Sequence, residues 1–333
     1  MRKNVAVIVA ACFVAVTAGC SAIPAPTDCD PLVESGVSSK LISATGDEGT
    51  QPTVTFPTPI AAKDTQVSSI TPGTGDELFS GQVADVQASI YSGATGALLT
   101  TTGYDPTSPL RVNVGLEGST PAISVIAESI QCQAVGSRTA TVVTVADMFG
   151  ADTLDPTLGL ANDDAVVVVT DVAASYLGRA TGALQPIQSG MPAVVTDTTG
   201  IPGISLPSTN PPTELKIADI RTGDGATVKE GDGVVLQYTG VLWNEAGTPG
   251  TVFQSTWTDS GARAATTLTA TAMDEDGAGG LVPGFAQALI GAKVGSQVLA
   301  VIPPEFGYPE GSSPGSIPDG STMVFVIDVL GIQ

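Results

Sequence analysis

Apolar positions fall in two kinds of run along this chain. Near the start, Val5 to Ala18 is almost continuously apolar and follows the basic pair Arg2-Lys3. Farther on the runs are short, rich in Val, Ile and Thr, and broken by glycine and proline. Short β-branched runs bounded by turn residues read as strands. In the C-terminal part, Val234 to Tyr238 reads as a strand opened by the turn Lys229-Glu230-Gly231-Asp232-Gly233. Asn244 to Gly250 reads as a hairpin turn, and Val252-Phe253-Gln254-Ser255 as a short strand. Pro283 stands where a helix can begin, with Phe285, Ala288 and Leu289 on one face and Gly291 near its stop. Val298 to Ile302 and Met323 to Leu330 read as the last two strands. One short helix against a twisted antiparallel sheet is an α+β layout.

The same order of signals occurs twice. Pro52-Thr53-Val54-Thr55 opens one stretch and Pro192-Ala193-Val194-Val195 the other. Ile70 to Asp76 answers Ile220 to Gly225, and Ile130 to Ser137 answers Leu289 to Ser296. A β-like run follows each, Thr139 to Val145 and Val298 to Ile302. Each stretch closes on an apolar strand, Ala165 to Val169 and Met323 to Leu330. Preserved order over so long a period argues for a tandem domain rather than a solenoid. The boundaries read as 1–19 leader, 20–50 flexible tether, 51–175 first domain, 176–190 linker and 191–333 second domain, with its core at 213–333.

Composition narrows the chemistry. The chain holds 33 acidic and 12 basic residues, and its net charge of -21 disfavours nucleic acid and anionic lipid as partners. The acids are scattered, Asp274-Glu275-Asp276-Gly277 lacks the spacing of a calcium loop, and no long acidic run exists. Gly223-Asp224-Gly225 lacks the strand, helix and third glycine of a dinucleotide loop. Histidine is absent, which removes Ser-His-Asp and Cys-His catalysis and the common zinc sites. No cofactor or metal is expected.

The leader ends in Thr17-Ala18-Gly19-Cys20, which resembles the lipobox of bacterial lipoproteins, with Thr17 where that motif prefers Leu. The resemblance implies lipidation at Cys20 and a membrane anchor on the extracytoplasmic face of a bacterial cell. An ordinary signal peptide cut nearby and an uncleaved anchor remain the alternatives. Cleavage before Cys20 leaves Cys29 and Cys132, a disulfide candidate in an oxidising compartment.

Five blocks carry a second resemblance: Val235 to Gly240, Val252 to Trp257, Leu281 to Phe285, Ile302 to Tyr308 and Ile317 to Phe325. In this order and spacing they resemble the FKBP-type peptidyl-prolyl cis/trans isomerases over about residues 213–333. The resemblance implies two FKBP-like domains, each a twisted antiparallel β-sheet wrapped on one short helix. It implies an apolar cleft walled by Tyr238, Phe253, Val282, Phe285, Tyr308, Ile317 and Phe325. The Val282 N–H and the Tyr308 hydroxyl would donate to substrate, and Phe285 would be the floor. Gln254 stands where the family carries an acid facing the cleft, and a family aromatic expected near Ala264 to Leu268 is missing. The implied partners are proline-containing clients and macrolide ligands. The first copy aligns Ala88 with Tyr238, Leu99 with Phe253, Ile126 with Phe285, and Phe149 or Gly150 with Tyr308, so catalytic silence is expected of it.

Isomerisation suits a chain without histidine. The X–Pro bond resists rotation because it is partly double, and no bond is made or broken, so no nucleophile is required. Three readings stay open at this stage: an isomerase for secreted or surface proteins, a proline-binding module without turnover, and an envelope scaffold.

Overall fold

The computed structural model describes residues 29–151, 159–243, 246–247, 249–257, 265–274, 278–308, 311 and 313–333. The leader 1–19, Cys20 and parts of the stretches 244–250, 264–268, 274–280 and 309–316 lie outside the described residues. In chain order the strands are β1 (Ser43–Thr45), β2 (Thr53–Thr55), β3 (Gln66–Thr71), β4 (Val83–Ser92), β5 (Leu98–Thr101), β6 (Leu110–Asn113), β7 (Arg138–Thr144) and β8 (Ala165–Tyr176). They continue as β9 (Ala183–Leu184), β10 (Ala193–Thr196), β11 (Pro202–Ser205), β12 (Lys216–Thr222), β13 (Gly233–Trp243), β14 (Thr251–Ser255), β15 (Thr266–Thr269), β16 (Gln297–Ile302) and β17 (Thr322–Ile332). The helices are α1 (Pro121–Ser129), α2 (Val145–Phe149) and α3 (Pro283–Leu289). The layout is α+β, with every strand pair antiparallel.

One large sheet runs β3-β7-β8-β4-β5, with β6 beside β4. The other runs β12-β16-β17-β13-β14, with β15 beside β13 and β9 added outside β12. Apart from β9 the two orders are the same. Strand alternation gives each sheet two apolar faces. In the second sheet, Val234, Leu236 and Tyr238 of β13 face α3 with Phe285, Leu289 and Phe325. Val241 and Trp243 of the same strand face the β10–β11 hairpin, which contributes Val194 and Ile204. In the first sheet, Val86, Ala88 and Ile90 face α1, while Tyr91, Ala140 and Val142 are covered by Ile42, Val54 and Phe56 of the β1–β2 layer.

That second layer corrects the expected boundaries. Residues 29–50 are no free tether: Val33, Ser39 and Ile42 are buried, and β1 pairs with β2. Cys29 and Cys132 are joined by a disulfide that closes a sequence separation of 103, a constraint that stabilises by about 2–4 kcal/mol. Glu77 lies beside the two sulfurs, but the disulfide consumes both thiolates, so the trio offers no metal site. The stretch 176–190 is not a loose linker either. Tyr176 ends β8, β9 pairs with β12, and Thr181 and Gly182 both donate their N–H groups to Gly295 O. The opening alignment is also displaced, because Pro52 precedes the second strand of its hairpin and Pro192 the first strand of its own. Two short polar–apolar alternations look alike in sequence, and only pairing separates them.

The two sheets abut at one end. Val83 meets Val235, Ala265 and Leu330 there, with Tyr176 and Leu177 packed alongside. Arg111 donates to both carboxylate oxygens of Asp85 at 2.7 and 2.8 Å, and across the boundary to Thr267 Oγ1 at 2.8 Å. Gln333 Nε2 also reaches Asp85 Oδ2 at 3.2 Å. Among the described residues no helix is long and apolar enough to cross a membrane.

Candidate active site

The cleft residues arrive from four elements and two loops. β13 brings Tyr238, β14 brings Phe253, α3 brings Phe285 and β17 brings Phe325. Phe285 and Phe325 lie edge to face with centroids 4.9 Å apart, and Tyr238 stands 5.7 Å from Phe285. Phe253 meets Phe325 edge-on at 5.5 Å. Edge-to-face pairs of this kind add about 0.5–1.5 kcal/mol beyond area burial. Val282 and Ile317 are buried in the same cluster, and Phe253 and Tyr308 are half-buried against it. Gln254 lies on β14 with its side chain exposed, outside this cluster.

A glycine makes the room. On the cleft face of β13, a Cβ at Gly240 would fall 2.6 Å from Phe253 Cζ and 2.8 Å from Phe325 Cε1. Any side chain there displaces both rings, because real Cβ atoms do not approach so closely.

Two donors border the cleft. Val282 is the N-cap of α3, where Pro283 fixes the first helical residue. Its own N–H makes no hydrogen bond among the described residues, while Leu281 and Phe285 N–H groups are used by Thr271 O and Val282 O. Tyr308 follows the 3-10 turn Pro304–Phe306, and partial burial holds its hydroxyl above its ordinary pKa, so it remains a protonated donor at neutral pH.

Thr256 was not singled out by the sequence. Its Oγ1 accepts from Tyr238 N at 2.9 Å and donates to Gln237 Oε1 at 2.7 Å, while its N–H donates to Tyr238 O at 3.0 Å. These bonds fix the β13 backbone at Tyr238. The only signal available was Thr102, which makes the same three bonds to Ala88 and Gln87 in the first sheet.

In the first sheet the matching positions carry smaller or aliphatic side chains. Ala88 takes Tyr238's register position, opposite Thr170 on β8 as Tyr238 is opposite Ile327 on β17. Ile90 occupies the place of Gly240 and is buried. Leu99 is the bulged residue of β5, as Phe253 is of β14. On α1, Ile126 lies one turn before Ile130, as Phe285 lies before Leu289 on α3, and Ile123 stands where Val282 does. The Ile123 N–H is taken by the Thr120 hydroxyl at 3.3 Å. Phe149, at the end of α2, packs against the core where the second sheet brings Tyr308.

On the faces away from α1 and α3, the two sheets differ in charge. Arg138 and Asp171 form a buried ion pair at 2.6 Å, and Arg138 also donates to Gly46 O and Asp47 O beside the β1–β2 hairpin. The matching pair in the second sheet is Gln297 and Asp328, at 2.7 Å. Asp328 Oδ2 accepts from Ala180 N at 2.8 Å, and burial without a bonded cation pushes its carboxyl up to about 6.

The model of the family described as FKBP-type peptidyl-prolyl cis-trans isomerase matches residues 225–330. A probable FK506-binding protein of Corynebacterium glutamicum is 36% identical over 130 residues, covering 39% of this chain and 96% of its own length. The FK506-binding protein of Streptomyces anulatus is 32% identical over 132 residues, again covering 39% of this chain and 96% of its own. Among solved structures, the three FKBP domains of wheat FKBP73 align over 81% of this chain and 94% of theirs, at 15% identity and a TM-score of 0.33. Near-complete coverage of the two bacterial relatives, at blocks that also build the aromatic cleft, leaves one conclusion: this chain belongs to the family of FKBP-type peptidyl-prolyl cis-trans isomerases.

Proposed function

We propose that the cleft of Tyr238, Phe253, Val282, Phe285, Tyr308, Ile317 and Phe325 is where this isomerase turns X–Pro bonds. The observation that carries the reading is an aromatic slot with two donors at its rim, the Val282 N–H and the Tyr308 hydroxyl, neither of which is hydrogen-bonded among the described residues. A prolyl ring seats among the aromatic edges. Removing water from the imide carbonyl weakens the charge-separated resonance form that makes the C–N bond rigid. The two donors then hold carbonyls of the twisted imide better than those of either planar isomer, which lowers the barrier. No group in this scheme gains or loses a proton.

The first unit, residues 33–176 with its hairpin layer, is a second copy of the fold that serves as a silent partner. Ile90, Leu99 and the occupied Ile123 amide support that reading. The second unit extends from about residue 183, so that its hairpin layer belongs with the cleft sheet. Cys20 is the lipid attachment point, and the clients are secreted or surface proteins that need slow prolyl steps catalysed outside the membrane. The sequence Thr17-Ala18-Gly19-Cys20 after an apolar run supports the anchor, and the Cys29–Cys132 disulfide suits an oxidising compartment. Macrolide binding would use the same slot. Gln254, exposed where the family resemblance calls for an acid, favours one second reading: a cleft that binds proline segments with little turnover.

An exchange assay of X–Pro isomerisation on the full chain separates these. Catalysis that disappears in the Tyr308→Phe, Phe285→Ala double variant supports the isomerase. Peptide binding without catalysis in the unaltered chain supports the binder. Palmitate labelling that disappears in Cys20→Ala supports the anchor, and labelling that survives there would rule out Cys20 as its attachment point.

A further inference from the structure

β14 carries Phe253 into the cleft, yet it pairs only with β13 among the described strands. An outermost strand held by one neighbour needs another support to keep an aromatic ring in place. The β10–β11 hairpin supplies it at both ends. Leu206, just after β11, lies against Gly250, where a Cβ would meet Leu206 Cδ1 at 3.0 Å. At the other end, Trp257 follows Ser255 and Thr256 and is buried, 4% exposed. Its ring passes so close to the hairpin turn that a Cβ on Gly200 would fall 2.5 Å from Cη2 and 2.9 Å from Cζ3.

The turn itself is firmly tied. Asp197 Oδ1 accepts from Thr199 N at 2.8 Å and Ile201 N at 2.9 Å, and Gly200 adopts φ 104, which only glycine takes readily. The hairpin is fastened to the sheet through Val194, Ile204 and Leu206, which pack with Val241, Trp243 and Val326. In the first unit, Gly103 follows Thr102 where Trp257 follows Thr256, and the ring that comes next, Tyr104, is buried with its hydroxyl 3.2 Å from Ser89 Oγ.

We propose that Trp257 is a positioning residue of the isomerase site: seated against Gly200, it holds the end of β14 so that Phe253, and Tyr238 through Thr256, keep their places at the cleft. The proposal rests on the reading of that cleft as the isomerase site. Trp257 touches no substrate. It limits how far the Phe253 wall moves when a prolyl ring enters, so its loss acts on binding before it acts on the rotation step.

The test uses the full chain, with kcat and KM measured separately on an X–Pro peptide at a temperature where melting curves show each variant folded. Trp257→Ala is expected to raise KM about tenfold with kcat nearly unchanged, and Trp257→Phe to restore most of the loss. If Trp257→Ala does not fold, Gly200→Ala, which pushes the ring without removing it, is expected to raise KM in the same direction. A folded Trp257→Ala protein with unaltered kcat and KM overturns the proposal, even if its melting temperature has fallen. So does a Phe variant no better than the Ala variant. Absence of turnover in the unaltered chain would count against the isomerase reading instead. Peptide affinity would then be the readout, with a tenfold weaker Kd in Trp257→Ala supporting the clamp and an unchanged Kd overturning it.

Discussion

The two sheets keep one framework and differ in what fills it. Both have the bulge that separates Asp85 from Val86 and Val235 from Leu236, and both have a threonine tying the long central strand to its outer neighbour. Both place a left-handed residue after the helix, Cys132 in one and Gly291 in the other. Where the second sheet has Gly240, however, the first has Ile90, and the rings of Phe253 and Phe325 have no counterpart there. Where the second leaves the Val282 N–H without a partner among the described residues, the first spends the matching amide on Thr120. The framework is held by backbone ladders, which tolerate side-chain change. The cleft depends on one missing Cβ, one amide donor and five rings, so it is lost by a few substitutions while the fold survives.

The charge under the hairpins gives the sharpest way to break the comparison. Arg138→Ala leaves Asp171 buried without its cation and is expected to destabilise the first sheet by about 3–5 kcal/mol. Denaturant melting would check this, and Gln297→Ala in the second sheet is expected to cost clearly less. Equal costs would erase the distinction between the two pairs.

Next in size is the cleft. The Tyr308→Phe, Phe285→Ala double variant is expected to lower kcat/KM for an X–Pro peptide about a hundredfold. The matched change in the first sheet, Phe149→Ala with Ile126→Val, should leave kcat/KM within about twofold wherever the protein stays folded. A loss from the first-sheet variant equal to that from the second would show that both slots work.

A smaller effect is expected from Gly240→Ala. The added methyl meets Phe253 and Phe325 and should cost about tenfold in kcat/KM, with the larger Gly240→Ile, which copies the first sheet, worse. Activity retained in Gly240→Ile would separate the cleft from this glycine.

The smallest effect concerns pH. Asp328 has its folded-state pKa raised from 3.8 to about 6 by burial, so folding favours its protonated form. Its contribution to stability is fully present below pH 3.8 and is lost as pH rises through about 6. Between pH 5 and 7.5 this amounts to about 1 kcal/mol, which Asp328→Asn should remove. Gln297→Arg should reduce the same slope by rebuilding the Arg138–Asp171 arrangement. Urea midpoints at several pH values read both, and a slope unchanged in Asp328→Asn would assign it to another group.

The strand-and-turn character was legible in the sequence because period-two runs of Val, Ile and Thr declare which residues share a face. The aromatic set was legible because each member sits in a short block whose order resembles a known family. Local pattern stops at the strand, however. It did not reveal that residues 29–50 contribute β1 and Ile42 to the layer covering the first sheet, since a short polar–apolar alternation reads equally as tether or strand. Nor did it reveal the register of the hairpins, because a strand's partner is set by tertiary pairing.

What the sequence determined by itself is the class of the fold, the family, and a chain without histidine. These follow from composition and from contiguous blocks of residues. Tertiary structure alone decided that Gly240 is the space the rings occupy, that the Val282 amide has no partner among the described residues, and that Trp257 sits against Gly200. Each of those depends on atoms brought within a few ångströms from distant parts of the chain, and close packing makes such contacts decisive where sequence spacing carries no record of them.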